Sequence, residues 1–188
     1  MTECIITMAD GSVMRFELYP RQAPITVASF AEAANSGFFD GLAWCRIVKD
    51  YVIQGGSPDN DIMTDSHFHL TGEFKENGYD TGLDHRRGAI SMARDDAYDT
   101  AGTQFFVVHK DAHKLDGRYA AFGYMLEGFD VLDRIAETET SGPETWNRTV
   151  GCTHALPDQS LERCPVRRPH REHAGRAITS LKFDFVHS

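Results

Sequence analysis

Few side chains in this sequence stand at spacings that do chemistry by themselves. Asp95, Asp96 and Asp99 share a polar loop. Carboxylates so placed could hold a cation, but a calcium loop needs roughly six or more oxygen ligands at fixed positions, so the three read as a solvated loop face. His67 and His69 stand two apart, on one face of a possible strand, and two imidazoles do not complete a metal site. Cys152, His154, Cys164, His170 and His173 are of zinc-ligating types. Their order, C-x-H and then C-x5-H-x2-H, fits no structural zinc spacing, so neither metal nor cofactor is assigned. There is no GxSxG elbow, no phosphate-binding P-loop and no HExxH helix. The informative stretches lie elsewhere. They are Trp44-Cys45-Arg46-Ile47-Val48, Val52-Ile53-Gln54-Gly55-Gly56, the run Gly88 to Arg94, Gly102-Thr103-Gln104-Phe105-Phe106, and Leu115 to Gly123.

The elements that must position these stretches are mostly strands. Cys4, Ile6 and Met8 alternate, Asp10-Gly11 marks a turn, and Met14, Phe16 and Leu18 alternate again, which predicts a hairpin. Strands are also predicted over 90–93, 104–108 and 120–124, and a last one over 178–185. The adjacent pairs Phe105-Phe106 and Ala120-Ala121 imply burial on both faces of the sheet. A helix is expected with Thr26 as N-cap, an apolar stripe of Val27, Phe30, Ala31 and Ala34, and Gly37 as terminator. A second is expected over 129–137, with Val131, Leu132 and Ile135 buried and Asp130 and Asp133 near its start. Many short strands with only two helices point to a mostly β fold, a closed antiparallel barrel capped by helices.

The 188 residues fit one domain, and 41% apolar with 25% charged residues is a globular balance. No run approaches the ~20 apolar residues of a spanning helix, and nothing near Met1 resembles a secretory leader. Four cysteines without a CxxC pair suit reduced thiols in the cytoplasm. The net charge of −9 disfavours nucleic acid as a partner, and no membrane partner is expected. Up to Glu144 the chain carries 12 basic and 24 acidic residues, and after it 7 basic and 4 acidic. The basic, Pro- and His-bearing segment at about 140–175 reads as an atypical loop or insertion before the final strand of a single domain spanning 1–188.

In order and spacing the five stretches resemble the cyclophilins, the peptidyl-prolyl cis-trans isomerases, over about residues 3–138. Gly72-Glu73-Phe74 ahead of the Gly88 to Arg94 run is similar to the bacterial single-domain branch. The resemblance implies an eight-stranded antiparallel β-barrel closed by two helices, which agrees with the pattern reading. It implies rotation of X-Pro bonds in protein and peptide substrates as a help to folding, with no cofactor.

An X-Pro amide resists rotation by ~18–20 kcal/mol because it is conjugated. In the twisted state the prolyl nitrogen is pyramidal and carries a lone pair. A fixed cationic donor aimed at that nitrogen stabilises the transition state more than the ground state. By resemblance Arg46 is that donor, and Gln54 holds it and bonds the substrate backbone. Phe106 is the floor of the proline socket, with Tyr51, Val52, Leu115 and Tyr119 around it. Gln104 and the Ala93-Arg94 backbone line the groove for the residue before proline, and Gly55 and Gly56 read as tight-turn residues. The sequence departs from the family at several of these places. Tyr119 stands where many members have His, and Lys114 where well-known eukaryotic members have Trp, which implies weak binding of cyclosporin-type macrocycles. Arg94 replaces a common Asn, Cys45 a common His, and Tyr51 and Val52 a Phe and a Met. None of these changes removes the cation or the socket floor. Cys45 beside Arg46 reads as a buried, inert thiol. A monomer acting on proline-containing polypeptides is expected. The alternatives are a module that binds Pro-containing segments with incidental turnover, and a metal or interaction role for the 140–175 segment.

Overall fold

The computed structural model describes residues 2–140 and 178–185. The calls on Cys152, Cys164 and the histidines near them, and on the 140–175 segment beyond residue 140, lie outside the described residues.

The hairpin forms as expected. Strand β1 (Thr2–Met8) pairs antiparallel with β2 (Val13–Leu18), setting Cys4 opposite Phe16 and Ile6 opposite Met14. Period-2 alternation turns these four side chains to one face, where all are fully buried. Six further strands follow: β3 (Arg46–Val48), β4 (Val52–Gly55), β5 (Ala89–Met92), β6 (Phe105–Val108), β7 (Ala121–Glu127) and β8 (Ile178–Phe185). They form one antiparallel sheet in the order β3-β4-β6-β5-β7-β2-β1-β8. The edge strands β3 and β8 approach through the segment before β3: Gly41 N–H donates to the Ile178 carbonyl at 2.7 Å and Ile178 N–H to that of Leu42 at 2.8 Å. The sheet thus curls into the eight-stranded, two-helix architecture that was expected, its seam joined by these two bonds among the described residues.

Helix α1 (Pro24–Asn35) begins earlier than Thr26, the predicted N-cap. Thr26 lies inside the first turn, and the start is capped from afar by Glu73, only 2% exposed. Its two carboxylate oxygens accept the N–H groups of Ile25 at 3.1 Å and Thr26 at 2.8 Å. Pro24 at the helix start has no N–H to satisfy, and a carboxylate suits the positive end of the helix dipole. A local cap is therefore unnecessary, and the acid that does the work is 47 residues away in sequence from Thr26. Gly37 follows the helix with φ +76°, the left-handed conformation expected of a terminator. Helix α2 (Phe129–Ala136) buries Val131, Leu132 and Ile135 as predicted. His67 and His69 lie on no strand; His69 Nε2 instead meets Asp65 Oδ1 at 2.9 Å.

Two apolar clusters result. The larger fills the barrel, where Phe30 of α1 meets Phe105 edge-to-face at 5.1 Å and Phe122 at 5.0 Å, and Trp44 meets Phe105 at 5.5 Å. The smaller lies on the other face of the sheet and comprises Val48, Tyr51, Val52, Ala89, Phe106, Val108, Ala112 and Leu115. Adjacent residues on a strand point to opposite faces, so the Phe105-Phe106 pair supplies one ring to each cluster.

Candidate active site

Strand register brings the polar and aromatic candidates into one row. Arg46 on β3 is opposite Gln54 on β4, and Gln54 is opposite Phe106 on β6. Residues directly opposite lie about 4.5–5.5 Å apart, within reach of one ligand. Arg46 Nη1 donates to Gln54 Oε1 at 3.2 Å, and Gln54 Nε2 donates to Gln104 Oε1 at 2.9 Å. Gln104 Nε2 donates in turn to the carbonyls of Ile62 at 3.2 Å and Thr64 at 3.1 Å. The loop after β4 thus fixes the orientation of both amides, and through them that of the guanidinium. Burial pulls the Arg46 pKa below its ordinary value, and a guanidinium still remains charged at neutral pH.

Beside this polar line lies the outer apolar cluster. Phe106 is its centre and is 5% exposed; Tyr51, Val52 and Leu115 are buried around it, and Ala93 and Tyr119 pack at its rim. The Tyr119 ring meets Phe106 edge-to-face at 5.8 Å. Burial pushes the Tyr51 phenol pKa up, so it stays neutral, and Lys114 Nζ lies 4.3 Å from the centre of that ring. Ala93 N–H donates to the Gln104 carbonyl at 2.9 Å, which sets the end of β5 against the start of β6. A cavity of about 120 Å³ opens there, lined in part by Gln54, Ala93, Arg94 and Gln104.

Most of the ten residues singled out in the sequence therefore converge: one cation, two amides and a walled aromatic floor. The Arg94 side chain is turned aside, onto the ring of Tyr119 at 4.7 Å. Gly56 lies just past β4 and ahead of the turn at 58–59, and it needs glycine all the same, with φ +86° and a site where a Cβ would run into the Thr103 carbonyl. Gly55 is instead a strand residue, kept small by Trp44, whose ring would lie 3.2 Å from an added Cβ. Cys45 is buried, with Sγ 3.6 Å from the Gln54 carbonyl. Asp99 serves structure, accepting Gly72 N–H and Asn77 Nδ2, each at 2.8 Å. Among the described residues no three His, Cys, Asp or Glu side chains gather to hold a metal ion.

A supporting layer was not anticipated from the sequence. His85 stacks on Phe106, the ring centres 5.9 Å apart and the planes 21° from parallel. Its Nε2 meets Ser91 Oγ at 3.0 Å and its Nδ1 meets Asp116 Oδ1 at 2.9 Å, while its N–H donates to the same carboxylate oxygen at 2.6 Å. Burial pulls the His85 pKa below 6.5, against the opposing pull of Asp116. For Asp116 burial acts to raise the pKa, but hydrogen bonds from the His85 backbone, His113 and the His85 ring bring it below the ordinary carboxylate value. The usable signal lies on the opposite strand: Ser91 pairs with Phe106, and a small hydroxyl behind an aromatic floor needs a buried polar partner.

Comparison with known proteins bears on this arrangement. A family model described as cyclophilin type peptidyl-prolyl cis-trans isomerase matches residues 4–155. Peptidyl-prolyl cis-trans isomerase B of Bacillus subtilis is 38% identical over 129 residues, 69% of this chain and 87% of the relative. Peptidyl-prolyl cis-trans isomerase A of Dickeya dadantii is 33% identical over 149 residues, 76% of each chain. Among solved structures, a cyclophilin type peptidyl-prolyl cis-trans isomerase of Cryptosporidium parvum, crystallised in the presence of the dipeptide Ala-Pro, superposes with a TM-score of 0.71. It is 21% identical and covers 98% of this chain and 99% of its own.

Proposed function

The chain belongs to the cyclophilin-type peptidyl-prolyl cis-trans isomerases, and from that membership we propose how its own residues carry the reaction. The proline ring of a polypeptide substrate enters the apolar socket over Phe106, bounded by Tyr51, Val52, Leu115 and Tyr119. Gln104 and the backbone at Ala93-Arg94 hold the residue before it, and the carbonyl of that residue swings as the bond turns. Arg46 donates to the prolyl nitrogen as that nitrogen becomes pyramidal. Gln54 keeps the guanidinium aimed and bonds the substrate backbone.

The observation that carries this reading is the row Arg46–Gln54–Phe106 across three strands, with Arg46 held 3.2 Å from Gln54. The cation is fixed before substrate arrives, so no reorganisation is needed as the lone pair develops. A peptide with Pro supports the reading as a ligand class, since the Cryptosporidium relative was crystallised with Ala-Pro. We infer a reducing, cytoplasmic setting from the free thiols Cys4 and Cys45, and no described helix is long and apolar enough to cross a membrane.

The test is Arg46→Ala, assayed for catalysed exchange on an X-Pro peptide. The expected result is a fall in kcat/KM of about 100- to 1,000-fold, the scale for removing one preorganised donor, with the fold intact. A folded variant with wild-type exchange activity refutes the proposed role of Arg46.

A further inference from the structure

Arg94 leaves the end of β5 beside the groove, yet its side chain does not point along it. Nε and Nη2 both donate to the Arg118 carbonyl, at 3.0 and 2.8 Å. Nη1 donates to the carbonyls of Asp95 at 2.7 Å and Asp96 at 3.2 Å. The guanidinium carbon lies 4.7 Å from the centre of the Tyr119 ring, 5.0 Å from that of Phe74 and 5.3 Å from that of Tyr98. One side chain thus grips three carbonyls and stacks in a cage of three rings. Only a planar, five-donor fork can do both at once.

The carbonyl it grips twice belongs to the residue before Tyr119, and the ring it covers most closely is Tyr119 itself. Tyr119 stands edge-on to Phe106 and forms a wall of the socket. Arg94 and Ala93 line the edge of the neighbouring cavity. Phe74 and Tyr119, two of the rings it stacks on, line a second cavity of about 310 Å³ together with Asp84 and Asp116. The guanidinium and its rings therefore form a partition between the two cavities, anchored on one side to the groove edge and on the other to the socket wall.

We propose that the Arg94 side chain is a positioning residue for the isomerase reaction, fixing the Tyr119 wall against the Ala93-Arg94 edge and so setting how tightly the proline and the residue before it are held together. The inference rests on the reading that this groove is the substrate site. It concerns a position where Arg94 replaces a common Asn of the family. Without the guanidinium, the wall and the edge must be ordered by the ligand itself. That cost falls on binding of ground and transition states alike and appears in KM rather than in kcat.

The experiment measures kcat and KM for catalysed exchange on an X-Pro peptide in wild type, Arg94→Ala and Arg94→Lys, with thermal melts to show that each is folded and Arg46→Ala as the inactive control. Arg94→Ala should raise KM about three- to tenfold, the scale of ordering one mobile side chain and its loop, with kcat changed less than about twofold. Arg94→Lys should behave like the alanine variant, because an ammonium keeps the charge but cannot hold three carbonyls in a fork. If Arg94→Ala does not fold, Arg94→Lys, which keeps the stem and the charge, supplies the same KM comparison. A wild-type KM in a folded variant, KM restored by lysine, or a fall in kcat at constant KM each overturns the proposal. An active wild type with an inactive Arg46→Ala and an unchanged Arg94→Ala sinks this inference alone, whereas an inactive wild type sinks the reading of the groove as well.

Discussion

If Arg46 acts through its positive charge, an anion placed at its partner should do more harm than loss of that partner. Gln54→Glu makes that substitution with almost no change of shape. The side-chain oxygen that now accepts from Arg46 at 3.2 Å becomes a carboxylate oxygen. At an effective dielectric near 20, unit charges at that separation attract by about 5 kcal/mol, partly offset by the cost of burying the carboxylate. Any surplus over the neutral amide draws the guanidinium toward residue 54 and weakens the field it presents to the prolyl nitrogen. The ceiling is the whole contribution of the donor, a loss of about 100- to 1,000-fold in kcat/KM. The carboxylate also cannot donate to Gln104 Oε1, a bond the amide makes at 2.9 Å. Gln54→Leu, by contrast, leaves the cation uncompensated but poorly aimed, a loss of about tenfold. The assay is exchange on an X-Pro peptide at neutral pH for wild type and both variants, by NMR exchange or a protease-coupled signal. The expected order of activity is wild type, then leucine, then glutamate well below both. A glutamate variant equal to or better than the leucine variant would show that the charge of Arg46 does not drive the reaction.

Two further outcomes follow from the supporting layers. Glu73→Ala strands the Thr26 N–H, in a residue only 1% exposed, while water can reach Ile25, so the variant should lose about 2–3 kcal/mol and about 5–10 °C in Tm by calorimetry. A Tm within 2 °C of wild type, allowing roughly that margin for measurement, would show that the remote cap is dispensable. His85 has its pKa pulled below 6.5 by burial, so it is neutral in the folded protein while the unfolded chain takes up a proton. Its contribution is complete above 6.5 and is lost as pH falls through that value toward the folded-state pKa. The exposed His113, raised by its hydrogen bond to Asp116, acts in the opposite sense and is screened by solvent. The urea midpoint should thus fall less between about pH 7 and pH 5 in His85→Gln than in wild type, and equal falls would exclude His85 as a source of acid sensitivity.

Six of the eight strands and both helices were legible because their signals are local; β3 (Arg46–Val48) and β4 (Val52–Gly55), at three and four residues, are too short to show a period and were not foreseen. Alternation at Cys4, Ile6 and Met8 and at Met14, Phe16 and Leu18 needs only a neighbouring strand to be read, and the two helices show their apolar stripes directly. The start of α1 was misread because its cap comes from Glu73, and no window around Thr26 contains that information. At the site, it was the family resemblance that pointed to Arg46, Gln54 and Phe106, and the register then set them side by side. The His85 layer, whose one clue was Ser91 behind Phe106, was missed for the same reason as the cap: it links 85, 91 and 116 through a fold-dependent contact. Arg94 was assigned by its backbone, and the sequence held no hint that its side chain would be spent on the Arg118 carbonyl and the Tyr119 ring.

Strand β6 gives Phe105 to the barrel and Phe106 to the socket. Each ring can therefore drift under a different pressure. Exchanges among the outer residues, such as Tyr51, Val52 or Tyr119, alter the proposed substrate socket while the interior that keeps the protein standing is left as it was. An isomerase built this way can change clientele by retailoring one face of its sheet, with the reverse face acting as an inherited lining that new substrates never see.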